Sequence, residues 1–540
     1  MKTTMKHLQF SMMCILLVLC IGCSKNDDDS PNPGNGEVEQ TNGISAEDLD
    51  NYLGDLGIII NTRDLEKKGY KPTKVNITTS ATEGDYDQQI DVDLFTNMAQ
   101  LSLSVEDLTE AAEAELRNGV DLDIEILNTA NSVIFSESFT IVSFEENGNQ
   151  IDIDASSLSY VTEALHFKEG MRHYLQTTNS DGDYGNTIVN KPGSGSTSNT
   201  LLNTKESTFN PGTTSEQFYI YKFPNEENTF ALWSAITNRY LATDDNDRTF
   251  RQSGAVSYPT GLNDNSLHPR YRFKIKRESN GLFTINDMND NPMRRFGSNW
   301  RTVTSGAIEY FRIIALDIEW ETQVLDTKHL QPIFPSVDTS FGFNSTLRNC
   351  GSGSLEQEVG IQREVTTTYT TSQSETIGLS GRVTTSVDVS VSATAEASFF
   401  GNGGSVTGEV SAGLEVSIEA SSSSTVGSEQ STSETNTFFS NRTVTVPAGS
   451  ASLIYDAYQT YSNVRVPFVK RFRLKGTQNN NGSGSLSGQE IVTQLMVTSF
   501  SGVITNIGSD FVEITIQGNM YLDNIVDTLT EVQDVAANCN

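Results

Sequence analysis

The amino-acid sequence predicts a mainly β protein made of several domains, and three observations lead to this prediction. The chain has 540 residues, which is enough for three or four domains at about 150 residues each. Only 36% of the residues are hydrophobic and 19% are charged, which leaves a large share of Ser, Thr and Asn, as in secreted proteins rich in strands and loops. Residues 383–420 alternate between apolar and polar types over most of their length, and a period of two is that of a β-strand.

The charge balance limits the function classes that fit this chain. Lys and Arg number 36 against 69 Asp and Glu, a formal net charge of −33. Such a chain repels a phosphate backbone, so we expect no nucleic-acid partner. Of the five His, His7 lies in the leader and the others are scattered, and no G-x-S-x-G, H-E-x-x-H or P-loop motif occurs. We therefore expect no enzyme, no catalytic residue, no cofactor and no metal site.

Residues 1–22 are predicted to be a signal peptide. Lys2 and Lys6 precede an apolar run at residues 10–21, which is shorter than the roughly 20 residues that a bilayer-spanning helix needs. The run ends in Gly22-Cys23, which resembles a bacterial lipobox with Cys23 as the lipidated residue, and the acidic cluster that follows is similar to the surface-export signal of Bacteroidota lipoproteins. The resemblance implies a lipoprotein anchored in the outer membrane and facing the cell exterior, or one released or carried on vesicles. The alternative is a plain secretory leader.

Residues 23–44 are predicted to be an acidic, flexible tether, because their polar composition cannot bury apolar area. Once the leader is removed, Cys350 and Cys539 are the only thiols besides Cys23. In an oxidising compartment we expect these two to form a disulfide, which would close a loop of about 190 residues. Two separate buried thiols are the alternative.

Residues 45–160 are predicted to form a small β-sandwich domain without chemistry of its own. We expect a short helix that begins at residues 45–48 and a longer one at residues 106–118. Short alternating segments suit half-buried strands, and they lie at residues 75–77, 101–103, 122–126 and 151–154.

Residues 161–318 contain two short patterns that each occur three times and alternate along the chain. One is basic and aromatic, at residues 172–175, 238–241 and 294–297, and the other is aromatic, at residues 218–221, 271–275 and 310–314. Such recurrence predicts a closed three-fold unit, which resembles the β-trefoil of lectin-like binding modules. The resemblance implies that exposed aromatics such as Trp233 and Trp300 stack on sugar rings. The alternative is that these rings pack in the core.

Residues 383–420 are predicted to form one long amphipathic β-hairpin. Apolar residues lie at odd positions before a turn at residues 400–405 and at even positions after it. If the strands pair so that the numbers of opposite residues sum to 805, as for Phe399 and Val406, every apolar residue faces an apolar partner. The predicted apolar face consists of Val383, Val387, Val389, Val391, Ala393, Ala395, Ala397, Phe399, Val406, Val410, Ala412, Leu414, Val416 and Ile418.

The two faces of this hairpin suit the wall of a membrane barrel. A crossing strand has about 9–11 residues that alternate between apolar and polar types. One hairpin alone leaves backbone groups unpaired at its edges, so several copies must close a barrel together. We therefore expect a homo-oligomer on a lipid membrane, with Phe399 and Phe400 at the tip. The lumen would be lined by Asp388, Glu396, Glu409, Glu415 and Glu419.

Residues 350–520 resemble the aerolysin-type β-pore-forming toxins, the group that includes the epsilon-toxin-like proteins. The resemblance rests on the hairpin, on the Thr- and Ser-rich segments at residues 358–371 and 421–437, and on the Val-Pro-Ala-Gly turn at residues 446–449. It implies an elongated pore-forming domain at residues 319–540. It also implies that the trefoil-like region binds a cell-surface glycan or protein receptor. The alternative is a surface lectin or adhesin that forms no pore.

Overall fold

The structure is a computed structural model. It describes residues 55–537 except 146–147, 182–183, 190–201, 206–213, 244–249, 253–266, 297–298, 305, 316, 331–336, 380–381, 384–386, 396–405, 415–428, 462, 480–483, 499 and 524. The predicted signal peptide, the tether with Cys23 and the helix predicted at residues 45–48 lie outside the described residues.

Two small sheets near the start of the described chain enclose a hydrophobic core. One has the strand order β4-β1-β7 and the other β3-β2-β5-β6, and their alternating residues, among them Ile58, Val75, Leu101 and Ile124, are fully or almost fully buried between them. This arrangement is the predicted β-sandwich. Its elements are β1 (Asp55–Asn61), α1 (Arg63–Lys67), β2 (Pro72–Thr79), β3 (Gln88–Asp91), β4 (Met98–Ser104), α2 (Glu110–Asn118), β5 (Val120–Asn128), β6 (Val133–Val142) and β7 (Asn149–Asp152).

The helix predicted at residues 106–118 begins later than expected. A 3-10 turn occupies Val105–Asp107, and α2 starts only after Thr109, whose side chain accepts a hydrogen bond from the Ala112 N–H at 3.2 Å. A Thr side chain at this N-cap satisfies one of the free N–H groups of the first turn. The cap therefore sets the start of the helix.

The middle of the chain forms a β-trefoil. Six strands pair in a ring that closes on itself, in the order β8-β11-β12-β15-β16-β19 and back to β8. The other six form three hairpins, β9 with β10, β13 with β14, and β17 with β18. The strands are β8 (Arg172–Thr178), β9 (Tyr184–Val189), β10 (Leu202–Lys205), β11 (Phe218–Lys222), β12 (Thr229–Ser234), β13 (Arg239–Thr243), β14 (Phe250–Gln252), β15 (Phe273–Arg277), β16 (Phe283–Asn286), β17 (Met293–Phe296), β18 (Asn299–Thr302) and β19 (Tyr310–Ala315).

The ring shows which of the two recurring patterns is a true repeat. The aromatic pattern occupies β11, β15 and β19, the fourth strand of each of the three repeats. The basic pattern does not occupy equivalent strands, because residues 172–175 lie in β8, a first strand, while Tyr240 and Arg294 lie in the second strands β13 and β17. That part of the prediction was wrong, since a short mixture of basic and aromatic residues fits any strand with one core-facing side.

The last part of the chain is built from unusually long strands. One sheet has the order β23-β20-β28-β31-β22-β26, with β29 and β30 added at β28 and β31, and a second has the order β21-β27-β32. The elements are β20 (Ile318–His329), β21 (Val337–Arg348), β22 (Leu355–Gln373), β23 (Arg382–Val383), β24 (Val387–Ala395), β25 (Val406–Leu414), β26 (Glu429–Val446), β27 (Ser450–Tyr461), β28 (Val464–Gln478), β29 (Gly484–Ser485), α3 (Gly488–Met496), β30 (Val503–Ile507), β31 (Val512–Asp523) and β32 (Ile525–Ala536).

These strands contain the segments on which the family resemblance rests. The Thr- and Ser-rich residues 358–371 lie within β22, which pairs along its length with β26. The predicted Val-Pro-Ala-Gly turn joins β26 to β27, and Gly449 has a φ of 75°, a left-handed conformation that glycine adopts without steric cost. The elongated β domain is therefore present as predicted, although residues 421–428 lie outside the described part.

One hydrophobic core runs from the trefoil into the elongated domain. It includes Phe311 and Ile313 of the barrel, Trp320 of β20, and Ile491 and Leu495 of α3. Helix α3 begins at a capping box of Ser487 and Glu490, a start signal that can be read from the sequence alone.

Among the described residues, none of the helices combines the length and the apolar character needed to cross a lipid bilayer.

Candidate functional site

The predicted hairpin is present as a two-stranded antiparallel sheet formed by β24 and β25. Each strand has nine residues, which matches the roughly 9–11 residues that a membrane-crossing strand needs. Val391 lies opposite Val410, and Ala395 lies opposite Val406. Because directly opposite residues of an antiparallel pair share a face, the predicted apolar positions of both strands fall on one face and the positions of Asp388 and Glu409 on the other.

The register of this hairpin differs from the predicted one by four residues. Val387 lies opposite Leu414 and not opposite Ile418. The two residue numbers of each described pair therefore sum to 801 and not to 805. An even shift keeps the apolar positions of both strands on the same face, since the side-chain period of a strand is two. The alternation in the sequence therefore could not distinguish the two registers.

The first predicted residue of the hairpin belongs to another sheet. Val383 is part of β23 and lies beside Trp320 in a parallel pair with β20. The prediction that the hairpin face begins at Val383 was therefore wrong, because this position is taken up by the edge of the large sheet. The remaining predicted positions lie outside the described residues, namely Glu396, Ala397, Phe399, Phe400, Glu415, Val416, Ile418 and Glu419.

The segment that connects β22 to β23 anchors the base of the hairpin in the large sheet. Ile377 and Leu379 are buried in the main core. The Thr376 N–H donates to Ser501 Oγ at 2.8 Å, and the Ser501 N–H donates to the Thr376 carbonyl at 3.0 Å. We call residues 374–379 the hairpin stem.

The stem also carries a buried carboxylate that is held by the sandwich domain. The side chain of Glu375 is 5% exposed and that of Arg63 in α1 is 1% exposed, and Arg63 Nη2 lies 2.6 Å from Glu375 Oε2. Arg63 Nε donates to Glu375 Oε1 at 3.2 Å, and Lys67 Nζ lies 2.9 Å from the same oxygen. The Gln517 N–H donates to Oε2 at 2.8 Å. A carboxylate can be buried here because two cations and a backbone N–H replace its lost water.

A second polar contact joins the sandwich domain to the large sheet. Lys328 of β20 forms an ion pair with Asp93, and Arg471 of β28 lies over the Phe95 ring, 4.9 Å from its centre. Burial alone would raise the pKa of Asp93, but the hydrogen bonds from Lys328 and from the Thr96 and Phe95 N–H groups lower the pKa below its ordinary value. Asp93 is therefore ionised at neutral pH and attracts Lys328.

The large sheet contains a buried amine beside these contacts. Lys470 in β28 is 2% exposed and lies between Thr327 of β20 and Ile516 of β31 in the ladder. Among the described residues no carboxylate lies within 4.0 Å of its ammonium group. Burial lowers the pKa of Lys470 to about 7, because a charged amine loses its hydration there.

The two tryptophans expected to bind sugar are not available for stacking. Trp300 is fully buried in the core of the trefoil, and Trp233 is 7% exposed and packs edge-on against Tyr240, with ring centres 4.9 Å apart. The prediction of exposed rings at these positions was wrong, because the barrel needs large apolar side chains to fill its interior.

Among the described residues, no group of three or more His, Cys, Asp or Glu side chains could hold a metal ion.

Cys350 is disulfide-bonded, and its predicted partner Cys539 lies outside the described residues. The last described strand nevertheless ends near Cys350. Ala536, the last residue of β32, lies opposite Ser450, and the Ser450 carbonyl accepts a hydrogen bond from the Asn349 N–H at 2.9 Å. This neighbourhood supports the predicted pairing of Cys350 with Cys539.

No family model and no curated protein matches this chain. Similar solved structures include the parasporin-2 toxin of Bacillus thuringiensis, which recognizes cancer cells, at 16% identity over 42% of this chain and 75% of the toxin, with a TM-score of 0.17. The Mpp75Aa1.1 β-pore-forming protein from Brevibacillus laterosporus is 10% identical over 40% of this chain and 68% of that protein, with a TM-score of 0.23. The BEL β-trefoil is 14% identical over 29% of this chain and 100% of that protein, with a TM-score of 0.22. The strand pairing of the chain itself defines its fold.

Proposed function

We propose that this chain is a β-barrel pore-forming protein of the aerolysin type that oligomerises on a target membrane and inserts the hairpin β24–β25. The observation that supports the proposal most strongly is the hairpin itself. Within the described residues it forms a sheet of two strands only, with nine residues per strand and all apolar positions on one face. In a barrel shared by several copies, that face would contact lipid and the face with Asp388 and Glu409 would contact water.

The trefoil would bring the protein to its target. Closed β-trefoils present loops on a rigid barrel, and such loops suit recognition of a cell-surface glycan or protein receptor. Since Trp233 and Trp300 are buried, any sugar contact must come from other residues of this domain. A surface lectin or adhesin without pore activity is the second candidate, which the trefoil supports but which leaves the amphipathic hairpin without a role.

We further propose that the mature protein is a lipid-anchored surface lipoprotein of the outer membrane with Cys23 as the modified residue. The Gly22-Cys23 end of the apolar run and the acidic residues after it support this proposal. An anchored pore former would act at the producing surface, on vesicles, or after cleavage of the tether.

The pore proposal is tested by a disulfide that holds the hairpin to the body of the protein. Arg382 and Glu319 lie next to each other in the parallel pair of β23 and β20, so the double variant Arg382→Cys and Glu319→Cys joins the hairpin base to the large sheet. We expect the oxidised variant to release no dye from receptor-bearing vesicles, and mild reduction to restore release. Asn76 and Glu125 lie opposite each other in the sandwich domain, and the pair Asn76→Cys and Glu125→Cys is the matched control that keeps full activity.

The alternatives give different results in the same assay. Glycan binding without dye release and without SDS-resistant oligomers would establish the lectin or adhesin and reject the pore. Dye release that is equally strong in the oxidised hairpin clamp would show that membrane damage does not require release of β24–β25.

A further inference from the structure

A cavity of about 480 Å³ lies where α1 of the sandwich domain, the chain before the trefoil, and the region from α3 to β30 meet. A second cavity of about 150 Å³ shares Tyr160, Glu163, Arg277 and Met496 with it. Ligand pockets in proteins have volumes of about 300–1,000 Å³. The larger cavity is therefore big enough for a small molecule.

Arg277, the last residue of β15, is fixed on one wall of both cavities. Its guanidinium carbon lies 3.8 Å from the centre of the Tyr160 ring, and its Nε donates to the Gly281 carbonyl at 3.4 Å. Gly281 has a φ of +81°, and a Cβ there would come within 2.7 Å of the Tyr160 hydroxyl oxygen. The turn therefore requires glycine, and the stacked guanidinium has little freedom to move.

The terminal nitrogens of Arg277 are open donors. Among the described residues, no carboxylate lies within 4.0 Å of this guanidinium and neither Nη atom has a hydrogen-bond partner. The other two cations that line the larger cavity are paired, Lys67 with Glu375 at 2.9 Å and Lys71 with Glu66 at 2.5 Å. A planar pair of N–H donors without an acceptor matches the geometry of a carboxylate.

The wall contributed by α3, β30 and the residues between them carries a group of apolar side chains beside the polar Thr505 and Asn506. It includes Val492, Met496, Phe500, Ile504 and Ile507, and Ile507 is 43% exposed although its side chain is large and hydrophobic. A ligand that combines a negative head with an apolar body would satisfy both kinds of wall, because burial of apolar surface is favourable and non-directional.

We propose that this cavity binds a small amphipathic carboxylate, whose head pairs with Arg277 and whose apolar chain lies on the wall from α3 and β30. Glu163 also lines both cavities, so its negative charge opposes the ligand head. Because three parts of the fold build the cavity, the ligand binds their assembled arrangement and stabilises it by mass action. The inference does not depend on the proposed pore activity.

The test uses the mature chain with decanoate as the probe, below its micellar concentration, and decanol as the neutral probe of equal length. Isothermal titration and thermal unfolding measure binding. We expect decanoate to bind and raise the unfolding temperature, and decanol to bind at least tenfold more weakly. Arg277→Gln should weaken decanoate binding at least tenfold, and Arg277→Lys should weaken it less. Glu163→Gln should tighten it several-fold, a change that misfolding cannot produce.

Arg465→Gln is the control, because Arg465 lies exposed on β28 and does not line the cavity, so decanoate affinity should stay unchanged. Equal binding of decanoate and decanol would overturn the inference, and so would decanoate binding that is indifferent to Arg277→Gln. If Arg277→Gln fails to fold, the test uses Glu163→Gln, which should tighten decanoate binding, and the cavity-filling variant Ile504→Trp, which should weaken it. Unchanged decanoate affinity in both variants would reject the site.

Discussion

Lys470 places an amine on the core-facing side of a long strand, between Phe468 and Phe472. Its pKa of about 7 lies below the value near 10.4 of an exposed lysine. Between these two pH values the unfolded chain binds more protons than the folded one. The free energy of unfolding therefore rises as the pH increases from about 7 toward 10. Below pH 7 the buried amine is charged in the folded protein, and its full destabilising effect is present.

This linkage gives a prediction for a single substitution. Lys470→Met should raise the free energy of unfolding by a few kcal/mol at pH 6 and by much less at pH 10. The reason is that it removes a buried amine that is charged at pH 6 and neutral at pH 10 in the folded protein. Urea unfolding at both pH values measures the difference. Lys475 lies on the same strand with a side chain 44% exposed, so Lys475→Met is the control. Similar pH dependence in the two variants would contradict the prediction.

The glutamate of the hairpin stem and the arginine of α1 act at the scale of elements. Arg63 and Glu375 are 312 residues apart in the chain, and their pair fixes the stem on the side where the sandwich domain contacts the large sheet. Removing one partner of a buried ion pair leaves the other without compensation and costs about 3–5 kcal/mol. Here Lys67 remains close to Glu375, which reduces the loss.

We predict that Arg63→Met lowers the free energy of unfolding by about 2–4 kcal/mol. It should also increase the rate of dye release from receptor-bearing vesicles, because the stem is then held less firmly. The matched control is Arg117→Met, since Arg117 pairs with Glu113 on the surface of α2, with side chains 38% and 31% exposed, and such a pair contributes about 0.5 kcal/mol or less. Slower release from the Arg63 variant than from the control would show that this ion pair does not restrain the stem.

At the scale of the whole molecule, the net charge and the predicted leader bear on the proposed place of action. A chain with a net charge of −33 is repelled by anionic lipid surfaces, so a lipid anchor and a specific receptor would both help it to reach a membrane. A single acyl chain binds membranes only marginally and stable anchoring requires more than one, as in a lipoprotein with several chains on its first cysteine.

We predict that Cys23→Ser abolishes labelling by a radioactive fatty acid and releases the chain from the outer-membrane fraction of the producing cell. When intact cells are digested with an added protease, the protein that keeps Cys23 should be degraded, since its acidic tether is predicted to export it to the surface. Cys350→Ser keeps the lipidation signal and is the control for labelling. A Cys23→Ser protein that is still labelled would disprove the assignment of the anchor.

Much of this fold follows from local patterns. Period-two alternation identified β5 and the hairpin strands, and the aromatic pattern of β11, β15 and β19 indicated the three-fold barrel. The capping box of Ser487 and Glu490 is an equally local signal for the start of α3. Local patterns succeed here because they report which face of an element is buried, and burial is the main favourable contribution to folding.

The sequence by itself determined the mainly β class, the trefoil and the presence of an amphipathic hairpin. Alternation is visible among neighbouring residues, and recurrence is visible when short segments are compared, so neither requires knowledge of tertiary contacts. Only the tertiary structure decided the hairpin register, the burial of Trp233 and Trp300, the pair of Arg63 with Glu375, and the open donors of Arg277. These features depend on which distant segments meet. A four-residue shift keeps the apolar positions of both strands on one face, and an arginine shows in the sequence neither its partner nor the lack of one.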